Sequence, residues 1–301
     1  MLALPYSTAL DIKGLPYVTY GVVILCLVIY LFQSENNEDL HRHSELFCKS
    51  IYDPALESDT LDVLSTNMDE CVDIIGINLN KVEYLIPENM ESLWSDNYTA
   101  YQDHIDVVMS LMQDHYDVFQ RDAPESLDAK LMYYPTSLNP FKSITLSLAH
   151  GDFWHIFFNI VAFIAFAPAL ELLIGNTIKY LAILVMISFA TSISFSLTTL
   201  MGGDALPSLG LSGIVLGMIG LSAYLMPTAK IRVVFWFYFY IRTFYISAWV
   251  LAVWYIGWET WDLLTSTDHG GINLIAHVSG GFAGYLIGLF WLKARCDDIR
   301  D

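Results

Sequence analysis

Six apolar runs, at about 17–33, 153–173, 178–200, 209–226, 247–265 and 272–292, decide what this 301-residue chain can become. Each is close to the ~20 residues a helix needs to cross the hydrocarbon layer of a bilayer. Lipid offers no water to bond a backbone, so such runs fold as helices, and irregular chain persists only inside the protein or around a wet cavity. The expected fold class is therefore all-α: a polytopic membrane protein with a six-transmembrane-helix bundle. No A-x-A-like cleavage site follows the first run, so it is expected to stay as a span.

Charge is concentrated between the first two runs. Residues 34–149 hold 22 acidic and six basic residues, a net of −16 out of −18 for the whole chain. This stretch reads as a large, acidic, extracytoplasmic insertion. Ile105, Val108, Met109, Met112 and Tyr116 recur at helical spacing, which predicts that it is mainly helical. Its acidity excludes nucleic acid and an anionic lipid surface as its partners. The expected organisation is an N-terminal segment with the first span (1–33), the insertion (34–149), a five-span core (150–292) and a tail (293–301).

Alternating connections put Lys13, Lys179, Lys230, Arg232, Arg242, Lys293, Arg295 and Arg300 on one side, which the positive-inside rule assigns to the cytoplasm. Both termini are then cytoplasmic, and the expected location is a bacterial inner membrane. Cys48 and Cys71 share the external loop, where an oxidising compartment permits a disulfide. Cys26 and Cys296 lie in the first span and at the cytoplasmic end. Residues 231–246 carry Arg232 and Arg242 around an aromatic stretch too short to cross. They read as an aromatic segment at the cytoplasmic interface, in preference to the start of a very long fifth span.

The polar residues inside the spans carry the functional signal, because ionisable groups there are expensive. A Gly/Pro-broken loop from Gly202 leads into the fourth run, with Ser212 in its first turn. His277 lies a few residues into the sixth. At ~1.5 Å per residue both reach a similar depth, roughly 5–10 Å below the outer surface. Gly213 and Gly217 repeat at four-residue spacing, as do Gly280, Gly284 and Gly288, and such faces let helix backbones approach closely. A serine–imidazole hydrogen bond of about 2.6–3.2 Å needs that approach. His155 and Asn159, four residues apart on one face of the second span, supply donors suited to an oxyanion, together with the Ser212 backbone N–H. Simpler readings are packing faces, water-bonded interfacial side chains, or a metal site from His150, His155, His269 and His277. A soluble-hydrolase elbow, G-x-S-x-G, is excluded because Ile214 holds the last glycine position.

The set H-x4-H-x3-N from His150 to Asn159, G-x-S-G from Gly210 to Gly213 and A-H-x2-G-x3-G from Ala276 to Gly284 resembles the rhomboid intramembrane serine protease family over about 140–292. The resemblance implies a Ser–His dyad without a third acid, with Ser212 as nucleophile and His277 as general base. It further implies an oxyanion hole of His155, Asn159 and the Ser212 backbone, supported by His150, Gly210, Gly213, Gly280 and Gly284. Glu171 resembles the family's structural acid. No cofactor or metal is implied, and the implied partners are transmembrane protein substrates and the lipid bilayer. Two positions depart from the family pattern: Leu216 where an aromatic ring often stacks on the imidazole, and Phe141-Lys142 in place of a Trp-Arg pair. A catalytically silent membrane-helix-binding relative, or a His-based transporter or metal-binding protein, are the alternative functions.

Overall fold

The computed structural model describes residues 2–8, 14–51, 69, 71–72, 75, 113–202, 206–237, 240–265 and 273–292. The chain divides into two units, Met1–Leu31 with Asp128–Asp301, and Phe32–Leu127. Lys13, Ile105, Val108, Met109, Met112, His269, Cys296 and the tail 293–301 lie outside the described residues.

Each apolar run forms a helix: α1 (Tyr17–Ile51), α2 (Phe153–Ile174), α3 (Thr177–Leu200), α4 (Ser212–Leu225), α5 (Ala248–Thr265) and α6 (Leu274–Trp291). Among the described residues, α1, α2, α3 and α6 are long and apolar enough to cross a membrane by themselves. α4 spans only 14 residues, and α5 interrupts its apolar sequence with Glu259 and Asp262. The protein is a mostly helical, polytopic membrane protein.

Local chemistry sets the helix ends. Asp152, Asn176 and Asn273 each accept a backbone N–H three residues on, at 2.9, 2.9 and 3.0 Å, and so cap α2, α3 and α6. Gly175 closes α2 in the left-handed region (φ 59°), which lets α3 begin after only one further residue. α1 has no acidic residue in its own first turn. Glu171 supplies one from α2, its carboxylate accepting from Val18 N (2.9 Å), Thr19 N (2.8 Å) and Thr19 Oγ1 (2.7 Å). Charge at a helix start and satisfied end groups both favour this junction.

The core is built around α4, whose residues from Gly213 to Ser222 are all buried. A helix apolar on every side belongs at the centre of a bundle. Phe163, Phe166 and Leu170 of α2 and Tyr180, Ile183 and Ile187 of α3 belong to the same core and are almost inaccessible. On its other side α4 meets α6 backbone to backbone. A Cβ on Gly280 would overlap the Gly213 carbonyl, one on Gly284 the Gly217 carbonyl, and one on Gly220 the Gly281 carbonyl. Here the small-residue faces read from the sequence do what such faces allow.

Of the two readings of 231–246, the long fifth span falls away, since the fifth helix starts only at Ala248; the described residues of this segment form two β-strands, which the sequence reading did not foresee. β1 (Leu2–Thr8), β2 (Lys230–Phe237) and β3 (Tyr240–Ser247) form an antiparallel sheet in the order β1-β2-β3. Ile231 and Val233 are buried while Arg232 between them is exposed, the period-two alternation of a half-buried strand. The sheet is tied to α2 by Thr8 Oγ1, which donates to Ala165 O at 2.6 Å.

Residues 128–149 wrap the polar flank of α3. Tyr133 pairs with Ser208 as an isolated bridge, and its hydroxyl lies 2.7 Å from Ser196 Oγ, which donates to Pro135 O at 2.7 Å. Ser147 and Ser188 join their hydroxyls at 3.1 Å. In the unit Phe32–Leu127 the described residues are chiefly helical. Phe47 packs on Tyr116 and Phe119 of a helix over 113–122, with ring centroids 5.8 and 5.7 Å away. Cys48 and Cys71 are disulfide-bonded there.

Candidate active site

The loop before α4 is shaped by Gly210, whose φ of +125° disfavours any side chain. Its N–H donates to Leu146 O at 2.8 Å. A Cβ at this position would lie 2.7 Å from His155 Nε2, so the imidazole occupies the space a side chain would need. Ser212 follows as the first residue of α4, and no side chain caps that helix start. Its first-turn N–H groups are therefore available to an anion.

α6 is fastened beside this loop by Asn273, which caps the helix and donates through Nδ2 to Ser208 Oγ at 3.1 Å. One turn in, His277 Nε2 lies 2.7 Å from Ser212 Oγ. The glycine contacts between α4 and α6 make that distance possible. From the third direction, the His155 ring faces Gly210 close to the serine. Asn159, buried below it, donates to His155 O at 3.0 Å. The His155 Nδ1 accepts a long 3.5 Å contact from Gly151 N, which leaves Nε2–H as the donor turned to the loop. His150 is buried at 1% exposure and meets His155 edge-on, centroids 5.2 Å apart. Burial pushes its pKa down to about 4, so it is neutral at pH 7.

Ser212, His277, His155, Asn159 and His150 thus converge from α2, α4 and α6 and the loops before them. Residues 139–294 match the Rhomboid domain. The chain belongs to the rhomboid family. A curated relative is "Rhomboid protein 1, mitochondrial" of Saccharomyces cerevisiae, 28% identical over 155 residues, which are 49% of this chain and 41% of the relative. The chain therefore spans about two-fifths of that relative's length. Its name places that protein in mitochondria and lends no support to the bacterial inner membrane expected from the sequence. No solved structure matches the chain.

Three features individualise this rhomboid. Leu216 is 7% exposed within the core, and no aromatic ring stacks on His277 among the described residues. Lys142 anchors its loop by donating to Ala129 O at 2.7 Å and lying 5.2 Å over the Tyr134 ring, whereas Phe141 is exposed. The third was missed by the sequence reading: Glu259 of α5 brings Oε2 to 3.2 Å from Nδ1 of His277. A signal existed, since a carboxylate inside an apolar span is a functional candidate by default. Among the described residues no group of three or more His, Cys, Asp or Glu is arranged to hold a metal ion.

Proposed function

We propose that this rhomboid is an intramembrane serine endopeptidase that cuts membrane proteins in or beside their transmembrane segments. The 2.7 Å contact between Ser212 Oγ and His277 Nε2 carries the reading. His277 Nε2 takes the hydroxyl proton as Ser212 attacks the scissile carbonyl. The oxyanion that forms is met by the Ser212 N–H, by Asn159 and by His155 Nε2–H. The imidazolium then protonates the leaving amine, and water releases the acyl-enzyme by the reverse proton path. No cofactor enters these steps.

Both reacting groups sit in the first turns of α4 and α6, which under the proposed topology open to the extracytoplasmic face, with both termini cytoplasmic. The acidic segment 34–130 supplies none of these groups. Its role in this reading is to bias which juxtamembrane segments approach, through repulsion that salt screens beyond about 8 Å at physiological ionic strength.

The test is labelling by a fluorophosphonate and cleavage of a model transmembrane substrate in proteoliposomes. Wild type should label and cleave, whereas Ser212→Ala and His277→Ala should do neither while remaining folded. His155→Ala and Asn159→Ala should lower kcat more than they raise KM. A folded wild type that neither labels nor cleaves would instead be a silent relative.

A further inference from the structure

Glu259 is the feature that the Ser–His reading leaves unused. It stands on α5, and its Oε2 lies 3.2 Å from the imidazole nitrogen opposite the one facing Ser212. The two side chains are 21% and 14% exposed, and the two atoms are themselves buried; at 3.2 Å they meet as an ion-pair contact, and neither makes a hydrogen bond among the described residues. Packing fixes the pairing. A Cβ on Gly281, one turn after His277, would lie 2.6 Å from Ile256, one turn before Glu259. Ile256 thus fills the notch that Gly281 leaves, and this contact sets the rotation of α5 that turns Glu259 toward His277.

The chemistry assigns the arrangement a direction. A neutral imidazole that accepts the Ser212 proton on Nε2 must carry its own proton on Nδ1, and a buried N–H needs an acceptor. Among the described residues, the groups facing His277 are Ser212 from α4, His155 from α2 and Glu259 from α5; of these only Glu259 is a carboxylate. An apolar span would not hold a carboxylate cheaply without such a partner.

We propose that Glu259 is a positioning residue: it holds the proton on His277 Nδ1 and stabilises the imidazolium formed as Ser212 attacks. The catalytic unit is then Ser212–His277–Glu259 and not a dyad. This rests on the proteolytic reading above. It follows the division of labour of the soluble serine-protease triad, where the carboxylate orients the base and does not itself take the proton.

The sign of the pH effect follows. The carboxylate stabilises the imidazolium formed during the attack, so Glu259→Gln should move the acid limb of the kcat profile to lower pH. At the plateau kcat should fall at least about tenfold, a part of the 10²–10⁴ supplied by a general base, with KM little changed. Glu259→Asp should restore the position of the acid limb.

The experiment measures cleavage and fluorophosphonate labelling of the full chain against pH, for wild type, Glu259→Gln and Glu259→Asp. It is joined by ¹⁵N NMR of histidine in the wild type, which needs no variant to fold. Ser212-dependent labelling of wild type, the shifted limb in the Gln variant and a proton on His277 Nδ1 in the neutral state support the proposal. Ser212-dependent labelling with superimposable pH profiles, or a neutral His277 protonated on Nε2, overturns it while leaving the proteolytic reading intact. Absent labelling of wild type, or labelling that survives Ser212→Ala, defeats that underlying reading and this inference with it.

Discussion

Replacing Glu171 tests whether the bundle is held where the fold says it is. Its carboxylate accepts three hydrogen bonds at the start of α1: Oε1 from Val18 N, and Oε2 from both Thr19 N and Thr19 Oγ1. Thr19 is fully buried and Val18 half-buried. In Glu171→Ala both backbone N–H groups lose their acceptor, while the hydroxyl can rotate to another. A buried donor left unsatisfied costs about 1–3 kcal/mol. Taking Thr19 near the top of that range and Val18 near the bottom, the loss is about 4 kcal/mol. In Glu171→Gln the amide oxygen can keep both Thr19 donors, so Val18 N alone is orphaned and the loss is about 1 kcal/mol. The assay is reversible unfolding in mixed micelles, followed by tryptophan fluorescence. Glu171 lies sixteen residues along α2 from His155, roughly 24 Å at the rise of an α-helix. Fluorophosphonate labelling per folded molecule should therefore stay at the wild-type rate. The reasoning is refuted if Ala costs less than about 1 kcal/mol or if Gln costs as much as Ala.

Gly284→Ala drives a methyl group into the Gly217 carbonyl; it should destabilise by about 1–3 kcal/mol or more and slow labelling by separating His277 from Ser212. Gly257→Ala, with nothing within 4 Å of the added methyl, is the control and should be neutral or slightly stabilising on thermal unfolding. His150 has a folded pKa of about 4 against an ordinary 6.5, so the unfolded chain takes up the proton first. Its contribution to stability is complete above pH 6.5 and is lost as pH falls toward 4, a span of about 3 kcal/mol. Unfolding measured against pH should flatten over that window in His150→Asn. Leu216→Tyr would place a ring in a filled position and should lower both melting temperature and activity, an overpacking loss of about 1–3 kcal/mol; unchanged stability with faster cleavage would show that the site has room for the ring.

What could be read from the sequence were the properties that depend on neighbours along the chain. Apolar run length foretold the helices, and Asp152, Asn176 and Asn273 mark where three of them begin. Ser212 and His277 could be matched because both stand at the starts of helices carrying glycine faces, so depth and close approach were legible without coordinates. The sheet was not. Strand β1 pairs with residues from the far half of the chain, and the alternation that marks β2 is short and submerged in an aromatic run. Residues 231–246 therefore looked merely interfacial. Their shared place in one external loop permitted Cys48 and Cys71 a bridge, and only the fold brought the two together. Glu259 shows the division most clearly. Its cost inside an apolar span was visible in the sequence, but its partner was not. Successive helical residues turn by about 100°, so the face that α5 offers to α6 depends on how Ile256 seats against Gly281. That is a contact between helices, decided by packing and not by either sequence segment alone.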